Sequence, residues 1–257
     1  MRLHCLHGFL GSPHDWDNLG MALNASEALV KADLFGDDYF PEAASMPAWA
    51  EAYYQHEILP ALTGPMKSGN YLLGYSLGGR LALHLAAQHS ELWDGIIIVG
   101  ANPGLDSAEA RALRRTNDET WAKRFETEPW EPLLAAWDAQ PVFAGRPSKA
   151  GERREEDFSR VRLAGSLRRW SLGAQIPLWE ALNTLSCPLL WIAGVEDAGQ
   201  VAICRRVKET IPQAEVWVAE NAGHRVPWEQ PAAFTARVLE FLEATQHRIE
   251  LEKEEQL

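Results

Sequence analysis

Gly74-Tyr75-Ser76-Leu77-Gly78 is the stretch that most limits what this chain can become. A short apolar run, Asn70-Tyr71-Leu72-Leu73, leads into it, and Leu77 to His89 follows with Ala82, Ala86, Leu81 and Leu85 at helical spacing. A serine bracketed by glycines between a strand and a helix is the pattern of a nucleophile elbow. Small flanking residues let the backbone fold tightly and leave Oγ exposed. A Gly-rich turn without catalytic use carries the same letters, so the motif alone leaves both readings open.

Two later segments favour the catalytic one. Pro188 to Asp197 is an apolar run ending in Gly and acids, which puts Asp197 just past the carboxyl end of a buried strand. Asn221-Ala-Gly-His224 follows a second such run, Val216-Trp-Val-Ala219. The order Ser76, Asp197, His224 resembles that of α/β-hydrolases and differs from the chymotrypsin-like and subtilisin-like orders. Among rival bases, His4 lies within the first apolar run, His84 and His89 on the elbow helix, and His247 in a charged tail; these read as structural or solvated. His7 sits in Leu6-His7-Gly8-Phe9-Leu10-Gly11, a strand followed by a glycine-bracketed loop, where this architecture takes one oxyanion donor from the backbone. The two donors expected are the amides of Phe9 and Leu77.

From 1 to about 101, short apolar runs alternate with helix-length segments, including strand-like text over 28–34, a helical stretch over 49–62 and a buried strand at Gly95 to Gly100. Such alternation predicts an α/β fold, a mostly parallel sheet covered by helices on both faces. Residues 102–178 change character to Arg-, Glu- and Trp-rich helical text broken by prolines, which reads as a helical cap inserted into a core made of 1–101 and 179–257. Strand text resumes at 187–193 and 215–219, a closing helix is expected over 231–243, and 247–257 reads as a solvated, frayed helix. The 257 residues suffice for one α/β domain with an insertion. The chain opens directly on the strand that feeds the oxyanion loop, so further amino-terminal strands are expected to be missing.

The net charge of −12 argues against nucleic acid or an anionic membrane as partner. It is unevenly spread: 102–178 holds 13 Lys and Arg against 12 Asp and Glu, and the rest holds 11 against 24. An anionic ligand would therefore be best received at the cap, although most of its arginines are expected to pair with neighbouring glutamates. Cys5, Cys187 and Cys204 are too few and too scattered for a disulfide framework or a zinc site, which points to a reducing compartment. Without a membrane-length apolar run or a signal-like start, a cytoplasmic protein is expected. No ligand-spaced cluster or phosphate-binding loop implies a metal or organic cofactor.

With these features in hand, the chain resembles the SHCHC synthase family of menaquinone biosynthesis, a branch of the α/β-hydrolases. The resemblance rests on Leu6-His-Gly-Phe-Leu-Gly with Asp15-Trp16 and on Gly74-Tyr-Ser-Leu-Gly-Gly-Arg80. In the cap it rests on Asn102-Pro-Gly-Leu105 leading to Arg111 and Arg114, Trp121-Ala-Lys-Arg-Phe125, Glu128-Pro129, and Trp137 with Gln140-Pro-Val-Phe143. Gly173-Ala-Gln175 and Asn221-Ala-Gly-His224 complete it. It implies a lyase that eliminates pyruvate from SEPHCHC, a small polycarboxylate, with Ser76 as the base activated by His224 and Asp197. It also implies substrate contacts from Tyr75, Arg80, Arg114 and Trp137, and arginine forks suit carboxylates. Arg80 would otherwise pair with a helix-surface acid, and Trp137 would otherwise be packing.

The chain departs from the family pattern at Phe35-Gly36-Asp37-Asp38 and at Ala198-Gly-Gln-Val201, and a further cap arginine is not uniquely matched among Arg153, Arg154, Arg160 and Arg162. A serine hydrolase of small carboxylic esters or thioesters would use the same triad. A ligand-binding protein that has kept a hydrolase pocket is the non-enzymatic alternative.

Overall fold

The longest apolar runs become the most buried strands, and the sheet they build sets every loop of interest at one edge. The computed structural model describes residues 1–23, 29–36, 45–62, 69–143 and 145–254. Six strands, β1 (Arg2–Leu6), β2 (Leu29–Ala32), β3 (Asn70–Tyr75), β4 (Gly95–Val99), β5 (Leu189–Gly194) and β6 (Ala214–Ala219), pair in parallel in the order β2-β1-β3-β4-β5-β6. Every residue of β3, β4 and β5 is buried, as expected of strands covered on both faces.

The period of two sorts side chains between two cores. On one face Leu6, Leu72, Ile96, Ile98 and Trp191 meet helices α2 (Met46–Tyr53), α4 (Leu77–Gln88) and α9 (Ala198–Thr210). On the other, Leu3, Leu73, Ile97, Val99 and Ile192 meet α1 (Asp17–Ala22) and α11 (Pro231–Glu254). The short helices α3 (Leu59–Leu62), α8 (Trp179–Asn183) and α10 (Val226–Glu229) lie in connections. Between β4 and β5 the chain inserts α5 (Ala108–Thr127), α6 (Trp130–Asp138) and α7 (Arg160–Arg169), whose Trp121, Phe125, Trp130, Leu133 and Leu163 extend the first core.

Two expectations change in detail. The helix over 49–62 starts earlier, at Met46, and passes through a π-helical turn at Tyr54–Ile58. The closing helix over 231–243 and the solvated helix expected from 247 are one unbroken helix to Glu254, joined through Thr245, which is buried and donates to Phe241 O, with Phe241 and Leu242 in the core. Ala28, Asp37, Asp38 and 255–257 lie outside the described residues.

The strand order places a topological switch between β1 and β3: the chain leaves β1 toward β2 and leaves β3 in the opposite direction, toward β4. Loops from the carboxyl ends diverge there and open a crevice, the general position of ligand sites in open α/β sheets. Ser76 follows β3, and the His7–Ser12 loop follows β1.

Candidate active site

Ser76 occupies a backbone conformation that its neighbours must enforce. Its φ of 51° and ψ of −109° are disfavoured for a residue with a Cβ. The turn is held by its own amide, which donates to Val99 O at 2.8 Å, and by the Arg80 amide, which donates to Ser76 O at 3.1 Å. The flanking glycines are required sterically. A Cβ on Gly74 would sit 2.6 Å from Gly78 O, and one on Gly78 would collide with the carbonyl oxygens of Leu6 and His7. This close approach of α4 to β1 brings the His7–Ser12 loop beside the serine.

Asp197 is three residues past β5 and caps α9. Its Oδ1 accepts from the Gln200 amide at 3.1 Å, and its Oδ2 lies 2.8 Å from His224 Nδ1. A carboxylate only accepts, so Nδ1 carries the proton and Nε2 is left to accept from Ser76 Oγ, 3.0 Å away. Gly100, at φ 57°, leaves room for the imidazole, because a Cβ there would lie 3.3 Å from His224 Cε1. The structure therefore brings Ser76, His224 and Asp197 into one hydrogen-bonded chain.

The histidine of the β1 loop has another task. A backbone carbonyl cannot donate, so His7 Nδ1–H donates to Gly8 O at 2.8 Å while Nε2 accepts from the Leu34 amide at 3.0 Å. The Gly11 amide also donates to Gly8 O, at 3.1 Å. The Phe9 N–H belongs to the same trans peptide and points the opposite way. Leu77 is the first residue of α4, where an amide has no intrahelical acceptor. Both residues line the cavity above Ser76.

Two cavities flank the serine. The larger, about 760 Å³, is walled by Arg80, Arg114, Trp121 and Trp137 above Ser76 and His224. The smaller, about 570 Å³, is walled by Tyr75, Asp15, Lys149, Arg153 and Arg225. Phe9, Ser76, Trp137 and Phe143 line both.

Arg80 donates to Trp170 O at 2.8 Å and weakly to Gln175 Oε1 at 3.5 Å, with no hydrogen-bonded carboxylate among the described residues. Burial, reinforced by the charge of Arg114, pushes its pKa down to about 9, which still leaves a cation at neutral pH. Arg114 spends its Nε on Asp118, at 2.8 and 2.9 Å, and Ser171 Oγ holds the same carboxylate. Trp137 packs on Phe9, Trp121 and Phe125 with ring centroids 4.7 to 5.5 Å apart, so wall and packing roles coincide. The Tyr75 ring lies against His224 and Trp228, and burial raises its phenol well above the usual range.

Of the four arginines left open by the sequence, Arg153 is the one that lines a cavity while mostly buried. Arg154 also reaches that cavity but is exposed and paired with Asp157. Arg160 is tied to Phe125 O and Glu128 O, and Arg162 to Phe35 O. Sequence reasoning missed Arg225 and Asp138, whose side chains pair at 2.5 Å while almost wholly buried. The only local sign was an arginine directly after His224.

Comparison with known proteins agrees with this architecture. Residues 5–238 match the model of the alpha/beta hydrolase family. The chain is 33% identical over 248 residues to the 2-succinyl-6-hydroxy-2,4-cyclohexadiene-1-carboxylate synthase of Klebsiella pneumoniae subsp. pneumoniae, and 33% identical over 245 residues to that of Salmonella typhimurium, covering 92% of both chains in each case. Its structure is similar to MenH from S. aureus, with a TM-score of 0.84, 25% identity, and 96% and 94% of the two chains covered. It is also similar to a malate-bound thermophilic esterase from Thermogutta terrifontis, with a TM-score of 0.74, 25% identity, and 95% and 90% covered.

Proposed function

The chain belongs to the 2-succinyl-6-hydroxy-2,4-cyclohexadiene-1-carboxylate (SHCHC) synthases of the α/β-hydrolase family, and on that premise we propose how its residues eliminate pyruvate from SEPHCHC in menaquinone biosynthesis. Ser76 is the base. As its Oγ takes a proton from the ring carbon beside the succinyl ketone, its own hydroxyl proton passes to His224 Nε2, and Asp197 supports the imidazolium. The ketone oxygen becomes an enolate held by the amides of Phe9 and Leu77. The electron pair released from the C–H bond moves through the ring and breaks the C–O bond to the enolpyruvyl group. Pyruvate leaves as its enolate, and a proton returned through His224 restores the starting state.

We read residues 102–178 as a cap that supplies the substrate's carboxylate partners. The observation that carries this reading is Arg80, a half-buried cation facing the larger cavity with no carboxylate bonded to it among the described residues. Arg114 offers its outer guanidinium nitrogens from the cap, Arg153 faces the smaller cavity, and Tyr75 and Trp137 bound the ring. A polycarboxylate gains these contacts and a neutral ester forfeits them.

The test is pyruvate release from SEPHCHC, followed with a pyruvate-consuming dehydrogenase, beside hydrolysis of neutral p-nitrophenyl esters at the same enzyme concentration. Rapid pyruvate release with slow ester turnover is expected. Fast ester turnover without pyruvate would make the same triad that of a carboxylic ester hydrolase, and saturable binding with neither activity would make the chain a ligand-binding homologue.

A further inference from the structure

His224 has neighbours that the elimination does not use. The Phe143 ring meets the imidazole edge to face, with centroids 5.7 Å apart. The guanidinium of Arg225 lies over that same ring, 4.1 Å from its centroid. Arg225 cannot drift from this position: Nη2 reaches Asp138 Oδ1 at 2.5 Å and Nη1 donates to Pro147 O at 3.0 Å, with both charged side chains about 4% exposed. Asp138, at the end of α6, is itself fixed by Ser148 Oγ and the Lys149 amide, each at 2.7 Å, and by Arg153.

A second arginine crosses the boundary in the opposite direction. Arg146, from the cap, donates to Asn221 O at 3.2 Å and pairs with Glu196, next to Asp197, and with Glu229 at 3.5 Å. Glu229 in turn accepts from the amide of Gly223, the residue before His224. Cap residues 146–149 and core residues 221–229 are thus interlocked around the histidine.

We propose that the Asp138–Arg225 pair is a positioning device for His224, holding Phe143 against the imidazole so that the cap sets the alignment of histidine with serine. A buried ion pair is a poor source of stability, since two charges lose their hydration to make one contact, and an apolar pair of similar volume often serves as well. What an apolar pair would not reproduce is the directed hold on Phe143. The inference rests on the reading of His224 as the partner of Ser76.

Arg225→Met leaves Asp138 with Arg153 as its remaining cation, so it is compared with the double variant Asp138→Leu/Arg225→Met, which removes the pair and leaves Arg153 facing the smaller cavity without that carboxylate. The double variant is expected to melt within a few degrees of the parent yet to lose kcat by about 10²-fold, the scale of a misplacement of roughly 1 Å. KM should stay within about twofold, because the loss is of alignment rather than of binding. Arg225→Lys, which keeps the charge, should recover part of kcat. Arg206→Ala, which cuts an exposed pair between Asp106 and α9 remote from the histidine loop, should leave kcat unchanged.

Phosphonylation of Ser76 by a fluorophosphonate gives a readout independent of the substrate, and its rate should fall in parallel with kcat. Parent-like kcat and labelling in the double variant would overturn the inference. So would a rise in KM at unchanged kcat, which would make Arg225 a substrate contact. If the parent releases no pyruvate, the elimination fails while the labelling rates still decide the positioning role; a parental serine inert to the reagent would overturn both.

Discussion

Asp197 divides its carboxylate between two duties, and the division allows one to be removed without the other. Oδ1 caps α9 and Oδ2 orients His224. Asparagine is as good a helix cap as aspartate, so Asp197→Asn should keep the fold while exchanging a charged acceptor for an amide that no longer fixes the imidazole tautomer. A fall in kcat of about 10³- to 10⁴-fold is expected, with the melting temperature nearly unchanged. Glu196 is no substitute, since it pairs with Arg146; full activity in Asp197→Asn would show otherwise. Ser76→Ala and His224→Ala should each lower kcat by about 10³-fold or more, and the double variant should be little worse, because the pair acts as one unit. Additive losses in steady-state kinetics would separate their roles.

At the scale of elements, α5 distinguishes two arginines one turn apart. Arg111 donates to Leu105 O and Asp106 O at the start of the helix, whereas Arg114 faces the larger cavity and meets Asp118. Arg114→Ala would cost stability as well as activity, since Asp118 is buried and would keep, among the described residues, Ser171 alone as a side-chain hydrogen-bond partner. Arg114→Gln, which can still donate, isolates the binding role. It should cost about 2 to 4 kcal/mol in kcat/KM for the polycarboxylate, and Arg111→Gln much less. Equal, small losses would show that α5 does not hold the substrate.

Sequence patterning reached this far because local rules generate it. The elbow is a strand, a tight turn and a helix written consecutively, and continuous apolar runs mark strands buried on both faces. It could not reach Arg225 and Asp138, which stand 87 residues apart and meet only once the inserted helices fold back over the sheet. Nor could it choose among Arg153, Arg154, Arg160 and Arg162, whose roles depend on which carbonyl or carboxylate each finds in three dimensions. The two helical stretches expected over 231–243 and from 247 join because the buried face of the first continues from Phe241 and Leu242 to Thr245, a polar residue that gives no apolar signal.

The molecule as a whole carries a liability toward acid in two histidines of its core. His4 and His84 are buried in the core, each with an Nε2 that finds no partner among the described residues, and burial lowers their pKa values to about 3 and about 4, with help from the charges of Arg2 and Arg80 respectively. The unfolded chain takes up these protons near pH 6.5 while the native state refuses them, so it binds more protons and stability falls as pH drops below that value. Each histidine contributes about 1.4 kcal/mol per pH unit between about pH 6.5 and its native pKa. By pH 4.5 the two together remove about 5 kcal/mol, comparable with the lower end of total domain stability. Asp15 works weakly the other way, since burial raises its native pKa and protonation relieves the cost. Urea unfolding of the parent should therefore show stability nearly flat from pH 7 to 8 and steeply reduced from pH 6 to 5. His84→Leu removes one of the two charging sites and an unpaired polar atom, so the variant should be at least as stable as the parent near pH 7 and should lose only about half as much between pH 6 and 5. An unchanged slope in His84→Leu would place the acid-sensitive protons elsewhere in the fold.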